Sequence, residues 1–215
     1  MEVEEKLAKM QALHEEWSAC ERCGLCNPAG RIRHNVVFGS GSVDADVVII
    51  GGAPDLESDV AGEPFAGRTG EIIDMFLEDL ESSRDDVFIM DLVGCLPTES
   101  DDPRKDRSPT AAELAACRPR VDKILEIIDP YVVIVLGADA LKAMSPIKGG
   151  IKTHVHDRSQ KSIPVLSGGQ FAPIERPGFV AYHPRYLQYN WTMAEGGCVQ
   201  ASVYTVNSAG NLYTC

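Results

Sequence analysis

The chain has 215 residues, an ordinary globular composition and a formal net charge of −12 at neutral pH. That length suits one large domain with a substantial core, and no apolar run reaches the ~20 residues that span a bilayer. The acidic balance argues against indiscriminate nucleic-acid binding, and with no signal-peptide pattern at the start a cytoplasmic location is the expectation.

Residues 2–19 read as a helix, with Leu7, Met10, Leu13 and Trp17 recurring at roughly helical spacing. The helix runs into Cys20, Cys23 and Cys26, and residues 27–44, broken by Pro28, Gly30, Gly39 and Gly41, look irregular. Val47, Val48, Ile49 and Ile50 form an apolar run of strand type that ends at Gly51, Gly52, Ala53 and Pro54. Such a run suggests a strand buried on both faces. A polar loop follows to Pro64 and Phe65, then a helical pattern over 71–80, then a second strand over 87–90 that stops at Asp91. Residues 98–109 form a polar loop. Thr110 and Glu113 are spaced as a capping box that opens the next helix, and Pro130 ends it. A third strand, 131–136, leads through Gly137 and Asp139 into a short helix, a short strand lies near 163–166, and a fourth strand over 178–182 ends at His183.

Strands alternating with helices predict an α/β fold: a three-layer α/β/α sandwich around a central, mainly parallel, four-stranded sheet. We read residues 1–215 as a single domain, with 1–44 an N-terminal helix and cluster-binding segment and 192–215 a weakly patterned tail. In open α/β sheets ligands bind at the carboxyl ends of the strands. Gly51, Gly52, Asp91 and His183 all fall at strand ends and are predicted to share one edge.

Seven cysteines is an odd count, and three of them cluster near the N-terminus. Clustered cysteines in a cytoplasmic protein point to metal rather than disulfides. Cys20 and Cys23 have chelating spacing, and Cys95 and Cys117 flank a loop. Four thiolates suit a 4Fe-4S cluster or structural zinc. Cys26 also has chelating spacing, so the ligand set stays open on spacing alone.

Taken together and in order, these segments resemble the family 4 uracil-DNA glycosylases, the iron–sulfur type. The family pattern runs C-x2-C, G-E-A-P-G-x-x-E-D-x-x-G-x-P-F-V-G, T-N-x-x-K-C-x-P, P-T-x-x-E-x-x-x-C, L-G and H-P-S-Y-L. Matching residues here are Cys20 and Cys23; Gly51, Ala53, Pro54 and Asp59; Gly62, Pro64, Phe65 and Gly67; Cys95 and Pro97; Pro109, Thr110, Glu113 and Cys117; Leu136 and Gly137; and His183, Pro184, Tyr186 and Leu187. The resemblance covers roughly residues 17–190. It implies a 4Fe-4S cluster of structural role held by Cys20, Cys23, Cys95 and Cys117. It implies a monomeric enzyme, with no membrane role, that flips a nucleotide out of DNA and cuts the bond between base and sugar. Phe65 matches the ring on which the base stacks. His183 matches the residue that stabilises negative charge growing on the base O2. Gly52, Ala53 and Asp55 lie in the turn whose amides hold the base or the water. Arg185 and Leu187 lie in the loop that enters the DNA.

Three departures fall in the pocket. The first Glu of the motif is Gly52, the second is Ser58, and the Asn that reads the base edge is Asp91. A carboxylate offers only acceptors, so facing uracil O4 it costs ~1–3 kcal/mol or more. Facing the exocyclic amine of cytosine it accepts a hydrogen bond, and a proton shared with N3 completes the pair. Ser58 removes bulk where a C5 substituent sits. The expectation is a glycosylase for C5-substituted cytosine, hydroxymethylated or glycosylated, and bulky modifications of that kind suggest phage DNA and an antiphage role. The competing readings are ordinary uracil repair, with Asp91 tolerated, and a silent DNA-binding homologue.

Overall fold

The computed structural model describes residues 1–25, 36–99, 102, 104–146, 148–151, 163–167, 174–186, 205–206 and 212–213. Helix α1 (Val3–Ser18) buries Met10, Leu13 and Trp17 as its periodicity predicts. Leu7, expected in that stripe, is exposed, and Lys6 takes the buried position beside it. The Lys6 ammonium is satisfied there, donating to Asp44 Oδ1 at 2.7 Å and to the Ile128 carbonyl at 2.9 Å.

Strand β1 (Ser40–Gly41) is a two-residue edge, and β2 (Val47–Gly51) is the apolar run. Helix α2 (Leu56–Ala61) occupies part of the expected polar loop. Asp55 caps it by accepting the Ser58 N–H at 2.8 Å, and Gly62 ends it in the left-handed region. Helix α3 (Gly67–Asp79) buries Ile73 and Leu77. Strand β3 (Phe88–Asp91) is wholly buried. Helix α4 (Ala111–Ile128) opens with the expected capping box: Thr110 N–H donates to Glu113 Oε2 at 2.7 Å and Glu113 N–H to Thr110 Oγ1 at 3.3 Å. Strand β4 (Val132–Leu136), helix α5 (Gly137–Met144), strand β5 (Ile163–Ser167) and strand β6 (Ile174–Ala181) follow. Two further short strands, β7 (Thr205–Val206) and β8 (Leu212–Tyr213), pair with each other in the tail.

The main sheet has six strands in the order β1-β3-β2-β4-β6-β5. Its centre, β3-β2-β4-β6, is parallel and contains the four strands read from the sequence. The antiparallel edges β1 and β5 widen it beyond the expected four. Alternate residues of the central strands serve opposite faces. Val48, Ile50, Met90, Val133 and Val135 pack with α1, α4 and α5, whereas Ile49, Ile89 and Leu136 pack with Phe65 and α3. Two helical layers therefore enclose one sheet, and all four parallel strands point their carboxyl ends at the same edge.

Candidate active site

Strand register builds the site. Gly51 lies opposite Asp91, and Leu136 lies opposite Ala181, two residues before His183. The predicted convergence of Gly52, Asp91 and His183 is therefore met, and all three line one cavity of about 400 Å³ at that edge. Ala53, Asp55, Ser58 and Phe65 line it too.

Asp91 sits almost fully buried at 2% exposure. Its backbone carbonyl accepts from the buried Arg120 guanidinium at 2.5 Å, which fixes the strand end. Its side-chain Oδ1 has no hydrogen-bond partner among the described residues. Burial pushes the carboxyl up to about 7; the Arg120 charge opposes this and the Asp55 charge adds to it. A buried polar atom facing a cavity without a partner is costly unless a ligand supplies one. Near neutral pH this carboxyl exists in both forms, as an acceptor pair or as one donor and one acceptor.

Phe65 has φ 51°, in the left-handed region that bulky residues avoid. Its neighbours hold it there. Arg84 donates to the Phe65 carbonyl at 2.8 Å and the Pro64 carbonyl at 3.2 Å. Ser58 Oγ accepts the Ala66 N–H at 3.2 Å. The ring lies against Gly51, where any Cβ would strike both Phe65 and Asp91 Oδ1, so glycine is needed for close approach. Ser58 thus has a bracing task in addition to leaving space. Asp55 is likewise committed: Oδ1 caps α2, and Oδ2 accepts from Thr69 Oγ1 at 3.2 Å.

His183 stands 5.4 Å from Phe65 between ring centroids, tilted by 35°. Its Nδ1 accepts the Arg185 N–H at 3.2 Å. Neutral imidazole with Nδ1 as acceptor carries its proton on Nε2, which is then a donor. Burial drives the His183 pKa down to about 4, helped by the Arg185 charge and opposed by those of Asp55 and Asp139. The ring is therefore neutral across the physiological range.

The outer wall comes from Asp106, Arg107, Ser108 and Pro109 on one side and Arg185 on the other. Arg185 forms a two-pronged ion pair with Asp106 that joins the two sides. Arg107 grips Glu113 through two bonds of 2.8 and 2.7 Å. That grip holds the Glu113 carboxyl down at about 2. Arg104 pairs with Asp102. Leu187, expected in the DNA-entering loop, lies outside the described residues.

Residues 38–204 match the family model of the uracil DNA glycosylase superfamily. The chain is 33% identical over 181 residues to a type-4 uracil-DNA glycosylase of Thermotoga maritima, covering 84% of each protein. It is 31% identical to that of Pyrobaculum aerophilum over 81% of this chain and 82% of the relative. A third, from Sulfurisphaera tokodaii, is 30% identical over 84% of this chain and 76% of its own length. The chain belongs to the uracil-DNA glycosylase superfamily. It is a DNA glycosylase, an N-glycosyl hydrolase whose substrate is DNA, and no described helix is long and apolar enough to cross a membrane.

The cysteines of this glycosylase lie away from the pocket. Cys20 and Cys23 follow α1, and Cys117 is buried in α4; all three are free thiols. Burial pushes the Cys23 thiol up, a Leu25 backbone contact opposes it, and the charges of Cys117, Cys20 and Glu113 add to it. The three sulfurs therefore share one electrostatic site, where thiolates need a neutralising cation. Cys95 is buried just beyond the end of β3. Among the described residues no group of three or more ligands is arranged around a metal position. The thiol chemistry of Cys20, Cys23 and Cys117 suits an iron–sulfur cluster. Cys26 lies outside the described residues.

Sequence reasoning missed Asp139, Arg84 and Arg120 as parts of the site. Asp139 carried the same signal that found Asp91 and His183, a polar residue just after a strand. Arg84 and Arg120 act through backbone carbonyls and have no local sequence signature.

Proposed function

We propose that this glycosylase releases cytosine carrying a C5 substituent, hydroxymethylated or glycosylated. The observation that carries the reading is Asp91: a buried carboxyl on the cavity wall, poised near neutrality, with Oδ1 unpartnered among the described residues. In its protonated form it donates to cytosine N3 and accepts from the exocyclic amine. Cytosine N3 is a true base, whereas uracil O4 is only a weak acceptor, so full transfer of the proton is open to cytosine alone. Protonation at N3 improves the base as a leaving group. Gly52 and Ser58 leave the cavity wider than glutamates would, which supports a substituted ring.

The remaining roles follow the same pocket. The base stacks on Phe65. Neutral His183 donates from Nε2 to O2 as the glycosidic bond breaks, and preorganised donation of this kind contributes several kcal/mol, about 100-fold or more in rate. Backbone amides at Gly52, Ala53 and Asp55 orient the base or water. Arg185 and Leu187 contact the DNA. Residues 1–215 act as one monomeric domain. Cys95 with Cys20, Cys23 and Cys117 holds a 4Fe-4S cluster, which supplies a structural cross-link. Bulky cytosine modification is a device of phage DNA, so the biological role proposed is defence rather than repair.

Base release from three duplexes tests the reading, carrying uracil, cytosine or C5-glycosylated hydroxymethylcytosine. Release from the third alone is expected. Asp91→Asn should transfer activity to uracil. Uracil released faster than either cytosine by the unaltered enzyme would return it to ordinary uracil excision.

A further inference from the structure

We infer that Asp139 takes the proton of the attacking water in this hydrolysis. Four carboxylates line the cavity: Asp55, Asp91, Asp106 and Asp139. Three are committed elsewhere. Asp55 spends one oxygen on the Ser58 amide and the other on Thr69. Asp106 is clamped by Arg185. Asp91 lies at the buried end of β3 with Oδ1 beside Gly51 and the Phe65 ring, on the side of the cavity where the base stacks. Asp139 makes no hydrogen bond or ion pair with any described residue. It is half-buried in the first turn of α5, at the cavity wall.

The space in front of Asp139 is shaped for a small molecule. A Cβ added to Gly52 would lie 3.5 Å from Asp139 Cβ and 3.9 Å from Oδ2, with nothing nearer. The slot between the end of β2 and the start of α5 is therefore open by the width of one side chain, with a carboxylate on its far wall and backbone amides beside it. A water needs such room and two to four polar partners. The same turn of α5 abuts the His183 ring, since a Cβ on Gly137 would come within 3.1 Å of His183 Cβ. Base donor and water acceptor are thus adjacent around the sugar position.

The chemistry balances without a co-reactant. Water oxygen bonds to C1′ of the deoxyribose, and the electron pair of the C1′–N1 bond leaves with the base. The water proton passes to Asp139 and from there to the departing base nitrogen. The products are a 1′-hydroxyl sugar and the free base, and the carboxylate is restored. Asp139 also faces the positive charge that develops on the sugar before water arrives.

The inference rests on the hydrolytic activity and not on which base is released, so the test uses whichever of the three duplexes above the unaltered enzyme cleaves. Asp139→Asn and Asp139→Ala should lower the single-turnover rate about 100-fold, the scale of general-base catalysis. Duplex binding and melting temperature should not move. Formate added to Asp139→Ala supplies a carboxylate small enough for the vacated space and should return at least tenfold of the lost rate. Rates within threefold of the unaltered enzyme, about 0.7 kcal/mol or less in barrier, overturn the inference and leave the activity standing. A rate loss with no rescue by formate assigns Asp139 a structural role and also overturns it. No release from any of the three duplexes overturns the proposed function and this inference with it.

Discussion

Two buried groups in the pocket pull the protein's pH dependence in opposite directions. The Asp91 carboxyl is raised from 3.8 to about 7, so the folded state holds a proton that the unfolded chain loses, and its contribution to stability is lost as pH rises through that window. The His183 imidazole is lowered from 6.5 to about 4, so the unfolded chain holds a proton that the folded state refuses, and its contribution is lost as pH falls through that window. Between about pH 4 and 6.5 the two slopes cancel, so on their account stability is nearly flat. Each substitution should unmask the other group. In His183→Gln, stability should fall by up to about 4 kcal/mol from pH 4 to pH 7, and in Asp91→Asn it should rise by up to about 3 kcal/mol from pH 4 to pH 6.5. Urea unfolding at pH 4.5 and 6.5 reads both; slopes of the same sign in the two variants would show that the pair does not titrate this way. The same substitutions separate chemistry from folding, because neutral His183 predicts a donor that persists down to about pH 4, while reading of cytosine by Asp91 should fade above about pH 7.

At the scale of elements, the cavity mouth depends on two loops joined by the Arg185–Asp106 pair. One loop precedes α4 and the other follows β6. In the free protein this pair closes one side of the pocket and neutralises the cation proposed to meet a phosphate, so DNA has to outcompete an internal carboxylate. Asp106→Ala should therefore tighten duplex binding and steepen the dependence of log K on log salt by about one unit, whereas Arg185→Ala should make it shallower. Equal slopes in all three proteins would remove Arg185 from the interface. Elements with a strong apolar period were legible in the sequence, and β2, β3, β4, α3 and α4 fall within a few residues of their expected positions. Helix α2 was not legible, because it is six residues long and its buried positions are Ser58 and Asp59; its only signal is the Asp55 cap. The edge strand β1 has two residues and no pattern at all. The convergence of Asp91 and His183 followed from both residues ending parallel strands that share one carboxyl edge. Ser58 read as an empty space because its bond to the Ala66 amide depends on how the Phe65 loop folds back, which local sequence does not encode. The Arg107–Glu113 pair was not legible either, because the capping box already accounted for Glu113.

Across the whole molecule, the N-terminal helix reaches the rest of the protein by two routes. One is apolar and ionic: Met10, Leu13 and Trp17 join the larger core, and Lys6 bonds to Asp44 and to the end of α4. The other is the cysteine site, where Cys20 and Cys23 meet Cys117, with Cys95 proposed as the fourth donor. A clip between Cys23 and Cys95 closes a long stretch of chain, and restraining the unfolded state over such a stretch is worth roughly 4 kcal/mol. The pocket does not need the clip for its own contacts, because Asp91, Phe65 and His183 are held by Arg120, Arg84 and the Arg185 amide. Cys117→Ser should therefore abolish the visible absorbance of a thiolate–iron cluster and lower the melting temperature on the order of 10 °C for a chain of this size. At temperatures where the variant stays folded, its single-turnover rate should remain within a few-fold of the unaltered enzyme. Loss of activity in step with loss of colour, at a temperature where the fold persists, would instead place the cysteine site in the chemistry. Arg120 is the residue through which it would act, since it touches the Asp91 carbonyl and feels the charges of Cys117 and Cys20.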